Sequence, residues 1–231
     1  MSSIMHSGID IVKYDLVMSW MATERFRIRV APDGLALVQE ILNTRAIGRA
    51  GDDLLAGEAV GQDWLRGAVR EQAKRQGGAA PAGEPGAADL AAVRELRARL
   101  VEILQSRGRL DDDGRPAAPA RASGRVAAEL LVGRDGEVRL VPPKAASWGS
   151  WLVSAAWAEV LLAQHAGTWA RLKLCREPAC ASAFYDLSRN NSGVWHDVRV
   201  CGNAANLRAS RLRRKQQAKT AGQPDGEGSA G

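Results

Sequence analysis

All three cysteines of this 231-residue chain, Cys175, Cys180 and Cys201, fall within 27 consecutive positions, and His196 lies among them. No other feature constrains the fold as much. An odd number of thiols, in a chain whose start lacks the basic-then-apolar order of a secretion signal, argues against a disulfide framework and for a cytoplasmic protein. The spacing is Cys175-x4-Cys180, fifteen residues, then His196-x4-Cys201. Two short-spaced pairs joined by a loop suit Zn2+, which takes four sulfur and nitrogen donors in a tetrahedron. Pro178 and Ala179 favour a tight turn that aims both sulfurs of the first pair at one point. CASAFYDLS then reads as a short strand or hairpin. Cys201-Gly-Asn reads as the start of a helix, where the dipole favours a thiolate. Knuckle, hairpin and helix make a treble-clef-like module. The plainer alternative is a decayed site, with three thiols buried as small apolar side chains.

Charge concentrates in the same region. From Arg171 to Lys219 there are 11 Lys and Arg against 3 Asp and Glu, a net of +8 out of the chain's +6, so the remainder is slightly acidic. Arg208, Arg211, Lys215 and Lys219 recur at spacings of three, four and four, which places them on one helical face, with Arg213 and Arg214 alongside. Such a face, abutting a zinc module, predicts contact with a phosphate backbone. Asn203 and Asn206 near the helix start are candidates for reading a base edge, since asparagine pairs with adenine through two hydrogen bonds. No aromatic ladder interleaves the basic residues, which disfavours single-strand stacking. The competing reading is a solvated helix, or one that docks on an acidic protein.

Upstream, apolar residues recur at helical spacing. Leu35, Val38, Ile41 and Leu42 predict one helix with Asp33 as its N-cap. Trp64, Leu65 and Val69 predict a second, and Val93, Leu96, Leu100 and Ile103 a third that starts near Asp89. A fourth helix spans 146–169, with Trp148, Leu152, Ala155, Leu162 and Trp169 on one stripe. RVAAELLVGRDGEVRLVP predicts a β-hairpin around Gly-Arg-Asp-Gly. The Gly- and Pro-rich stretches 76–88 and 106–124 read as loops, Asp111, Asp112 and Asp113 as solvated, and 220–231 as a disordered tail. The fold class is thus mainly α (α+β): a multihelical domain over 1–168 with a small hairpin, then a zinc finger with a basic helix over 171–219.

The window resembles the CGNR zinc finger, a bacterial module usually preceded by a largely helical ABATE-type domain. Cys175 and Cys180 match its first pair, and Asp186, Ser188, Arg189 and Asn190 match its Asp-x-Ser-basic-Asn string. Trp195 matches its tryptophan, and Cys201, Gly202 and Asn203 match its closing Cys-Gly-Asn. Two positions depart from it: His196 stands where the third cysteine is expected, and Ala204 replaces the arginine of the namesake motif. LALVQEILNT and DDLLAGEAVGQDWL look like the family's opening. The resemblance implies zinc held by Cys175, Cys180, His196 and Cys201, and a stress-linked transcription regulator that binds DNA. Its N-terminal domain would sense a small molecule or mediate dimerisation.

Other function classes find little support. No Gly-rich phosphate loop, Ser-His-Asp order or paired carboxylate motif is present, so no enzyme is expected. No apolar run reaches the roughly 18 to 20 residues of a membrane helix.

Overall fold

The computed structural model describes residues 20–47, 51–107 and 124–221, the side chains of 218–221 excepted. The chain before Trp20, the Asp111–Asp113 run, the tail from 222 and the Lys219 side chain lie outside the described residues. The architecture is mainly α, with two small antiparallel hairpins.

Among the described residues six helices form: α1 (Met21–Glu24), α2 (Leu35–Asn43), α3 (Glu58–Arg75), α4 (Ala87–Ser106), α5 (Trp148–His165) and α6 (Asn203–Ala221). Apolar spacing places α2 to α5 and basic spacing α6, while the four-residue α1 carries no such signal. The first five enclose one core. Leu37, Val38, Ile41, Leu42, Leu65, Val69, Val93, Leu100 and Leu152 are wholly buried in it. At about 2 kcal/mol for each such side chain, this burial is the main force holding the body together. Asp33 does not cap α2. The helix starts after Gly34 with no side-chain cap, and Asp33 sits at φ 52°. Along α5 the buried arc drifts to Val160 and Ala163, so Leu162, placed on the stripe by spacing alone, is half exposed.

Asp89 joins two helices. One carboxylate oxygen accepts from the Gly86 amide at 2.9 Å, capping α4, and the other accepts from the Gly149 amide at 2.8 Å at the start of α5. A Cβ at Gly149 would lie 2.6 Å from the Asp89 Cα, so the two helices can approach this closely only with glycine there.

The Gly-Arg-Asp-Gly hairpin is present as strands β1 (Glu129–Val132) and β2 (Val138–Val141), with Val132 opposite Val138. The second hairpin, β3 (Leu172–Leu174) with β4 (Ala183–Tyr185), belongs to the cysteine window. Leu172 and Ala183 of this hairpin lie in the same core as the helices.

Buried polar groups on α2 make that docking specific. Gln39, Glu40 and Asn43 are all at most 2% exposed, and each is satisfied. Asn43 Nδ2 donates to the Ala183 carbonyl at 3.1 Å, and its Oδ1 accepts from the Ala183 amide at 2.8 Å. Gln39 Nε2 donates to the same carbonyl at 3.2 Å. Arg45 Nη2 reaches the Ala181 carbonyl at 2.5 Å. On the other side of α2, Glu40 accepts from the Ala22 and Thr23 amides and from Trp64 Nε1 at 2.7, 2.9 and 3.0 Å. An unpaired buried polar group costs about 1–3 kcal/mol, so these pairings fix where the hairpin sits.

Candidate metal centre and basic helix

The β3 strand delivers Cys175 to the edge of the body, and the chain then turns on itself. The Cys180 and Ala181 amides both donate to the Glu177 carbonyl, at 2.8 and 3.0 Å, and the Cys175 amide donates to Ser182 at 2.8 Å. Ala181 takes φ 54° to let the chain re-enter β4. This knuckle brings the first two sulfurs together. Of the second pair, His196 lies just before a π-helical turn, Val198–Gly202, and Cys201 within it; the Arg199 and Val200 amides of the turn donate to the Asp197 carboxylate at 2.7 and 3.2 Å. Cys201 therefore sits inside this turn, one step before α6, rather than at the α6 N-terminus as the sequence suggests. Gly202 closes the turn against Trp195, where a Cβ would lie 3.1 Å from the indole Cδ1.

The donor atoms of Cys175, Cys180, His196 and Cys201 lie within 4.8 Å of one another. His196 Nδ1 is 3.3 Å from Cys180 Sγ and 3.5 Å from Cys201 Sγ. Tetrahedral Zn2+ with Zn–S of about 2.3 Å and Zn–N of about 2.0–2.1 Å sets nitrogen and sulfur about 3.6 Å apart. The geometry therefore fits zinc. All three cysteines are free thiols, and Cys175 and Cys201 are buried. Amides of Glu177 and His196 donate to the Cys175 sulfur, and the Ser182 amide donates to Cys180, with Ser182 Oγ 3.1 Å away. Such contacts orient ligands and stabilise thiolates.

The cluster's own electrostatics favour a thiolate at Cys180, which is held down to about 3 by a hydrogen bond from the Cys175 thiol and then by His196. Cys175 is pushed up by that same bond and by burial, and Cys201 is pushed up to about 11 by burial and the neighbouring thiolate. The His196 imidazole is raised by its contact with Cys180. A divalent cation held by these four donors would supply the charge that allows all three sulfurs to ionise.

Asp186 organises the loop between the ligand pairs. It is 3% exposed, and its carboxylate accepts from Lys173 Nζ at 2.7 Å, the Ser188 amide at 2.8 Å and the Gly193 amide at 2.7 Å. Lys173 also donates to the Asn191 and Gly193 carbonyls, at 2.6 and 3.1 Å. A Cβ on Gly193 would strike this carboxylate at 2.7 Å. Of the string shared with the resembled family, Asp186 and Ser188 thus build the loop, while Arg189 and Asn190 stand exposed at its tip.

Residues 171–214 match the family model of the CGNR zinc finger. Over this segment the chain is similar to the CGNR zinc finger, with a Cys3His donor set. No curated protein matches the chain. The match starts just before β3, takes in the knuckle, the Asp186 loop and the π-helical turn, and ends on α6.

The last candidate ligand of this CGNR-like segment, Cys201, is followed after Gly202 by α6. On that helix Asn203, Asn206, Arg208, Arg211, Arg213, Arg214 and Lys215 are exposed. Arg208 differs from the rest: it is bonded to the buried Glu177 carboxylate inside the knuckle. Glu177 is the functional residue that sequence reasoning missed, and a signal for it existed. The window holds three acids against 11 basic residues, and each acid has a fixed partner: Glu177 with Arg208, Asp186 with Lys173, and Asp197 with the turn amides. His165 is exposed at the end of α5.

Proposed function

We propose that this chain is a zinc-dependent, DNA-binding transcriptional regulator in which the CGNR finger presents α6 to duplex phosphates. The observation that carries this reading is the run Arg211, Arg213, Arg214 and Lys215. All four are exposed and have no acidic partner among the described residues, and they project from a helix rooted in the metal centre. Long-range attraction to a polyanion follows from such a charge density. Asn203 and Asn206, exposed on the first turn, are the groups placed to read base edges. Four protein donors fill the zinc tetrahedron and leave no coordination position for a substrate, which supports a structural metal and a non-enzymatic role. The helical body corresponds to the ABATE-type domain that accompanies such fingers, and it senses a small molecule or mediates dimerisation.

A second reading has its own observation. Leu207 and Leu212 of α6, and Val198 and Val200 of the turn before it, are 58 to 68% exposed. A zinc-stapled module docking these residues on a protein partner, without DNA, would bury them. Salt titration of duplex binding separates the two readings. Phosphate contact gives affinity that falls steeply with salt, and the protein-docking reading gives no duplex binding at low salt.

A further inference from the structure

A groove of about 790 Å³ runs between the C-terminal end of α4 and the finger hairpin. Pockets for small organic ligands span roughly 300–1,000 Å³, so this groove is of suitable size. Leu174 and Val194, both partly exposed, give it an apolar wall over the buried Leu172, and Arg107, Lys173 and Arg176 also line it. None of the described residues that line it is acidic.

The three cations are not equivalent. Lys173 is spent on Asp186 and two carbonyls. Arg176 is exposed on the knuckle, and its side chain has no partner among the described residues. Arg107 is rigidly held: Nη1 donates to the Trp169 and Leu172 carbonyls at 3.1 and 2.7 Å, and the guanidinium lies over the Trp169 ring at 4.2 Å. No carboxylate among the described residues reaches it, and Nη2 is buried without a partner. Burial pulls its pKa down to about 10, the mark of a cation short of counter-charge. Nη2 lies beneath the wall rather than on its surface, so Arg107 acts through its uncompensated charge, and Arg176 offers the accessible donors. Asn191 lines the same groove, in a left-handed conformation at φ 51°, with its Oδ1 buried and unpartnered.

We infer that this groove binds a small organic carboxylate, its anionic end on Arg176 in the field of Arg107 and its apolar body against Leu174 and Val194. Gln105 of α4 also lines the groove, so its occupant would touch both the helical body and the finger. This gives a chemical class to the sensing role proposed above without depending on DNA binding, because it is measured on the protein alone.

The test is titration of full-length, zinc-loaded protein with benzoate, phenylacetate and octanoate, read by tryptophan fluorescence and by the rise in Tm. Benzyl alcohol serves as the uncharged control and acetate as the control without an apolar body. At least one of the three carboxylates binds saturably below about 10 mM, and about tenfold or more tightly than either control. Arg107→Gln weakens it by about tenfold, whereas Arg107→Lys, which keeps the charge, stays within about threefold of the parent. Ser192→Trp, a substitution at an exposed rim position, blocks the groove and abolishes binding even if Arg107→Gln fails to fold. Absence of saturable binding by all three carboxylates overturns the inference. So does unchanged binding in Ser192→Trp, which would place the carboxylate elsewhere. A protein that binds these carboxylates but not DNA would retain the groove and lose the regulator reading; the reverse result would lose only the groove.

Discussion

Arg208, about one and a half turns into α6, is bonded to Glu177, a buried carboxylate lodged between the candidate metal ligands Cys175 and Cys180. The pair crosses 31 residues of sequence and ties the direction of the basic helix to the knuckle. It also gives Arg208 an anionic partner within the protein, unlike the cations that follow it on α6.

The sign of one substitution tests this. If Arg208 is a strut, Glu177→Gln weakens duplex binding several-fold by loosening α6, while one zinc per chain is retained. If Arg208 were a phosphate contact, the same change would free it, remove a negative charge and strengthen binding. Hydrogen exchange of the α6 amides reports the loosening without any DNA present.

Arg211 and Lys215 carry the phosphate contacts, in this view. Replacing both by Ala flattens the log–log dependence of duplex affinity on salt by about 1.8, at roughly 0.9 per phosphate, and weakens all sequences alike. Parallel slopes for parent and double variant would remove α6 from the interface.

At the metal centre, elemental analysis gives one zinc per chain, and Cys180→Ser loses it. His196→Cys keeps zinc because thiolate and imidazole both complete the tetrahedron; His196→Ala, which offers only a methyl group, binds it far more weakly. Equal affinity for His196→Ala and parent would make His196 a bystander.

Asp186→Asn destabilises the finger by about 3 kcal/mol, because it leaves Lys173 without its anion in a largely buried loop. Burial pushes this carboxylate up, but Lys173, Ser188 and Gly193 together outweigh burial and hold it below the usual aspartate value of 3.8. A depressed folded-state value means that the contribution is complete above 3.8 and is lost only as pH falls through the lower folded value. The gap between parent and variant urea midpoints therefore stays flat from about pH 8 to about pH 5. A gap that closes within that range would show that the carboxylate is not held low.

Asn43→Leu leaves the Ala183 amide without its partner and its carbonyl with one fewer donor. The expected loss is about 2–4 kcal/mol in global unfolding, with zinc stoichiometry unchanged.

The ligand set, the hairpin turn and the main helices were legible in the sequence because each rests on local spacing. Cys175-x4-Cys180 and the Leu35–Leu42 stripe need no knowledge of the rest of the chain. Features that depend on distant neighbours were not legible. Gln39 and Asn43 look like ordinary polar positions on an amphipathic helix until β4 arrives against them, and Leu162 shares the periodicity of Leu152 but lies outside the buried arc. Arg208 fits the spacing of a basic face, yet a single buried acid in the knuckle claims it. Charge counting placed the basic excess correctly. It could not say which of those charges the fold had already neutralised.

The hydrogen bonds from α2 to β4 also bear on how such a module could be inherited. The finger's second strand takes its edge partners from Gln39 and Asn43, which stand 144 and 140 residues upstream. A recombination event that moved residues 171–214 into another protein would carry every zinc ligand and none of this seat. The transplanted hairpin would have its Ala183 edge bare and a strand open to pairing with whatever chain came near. A change at Asn43 would therefore be felt at Ala183, so the seat of the finger is written in a part of the chain far from its ligands.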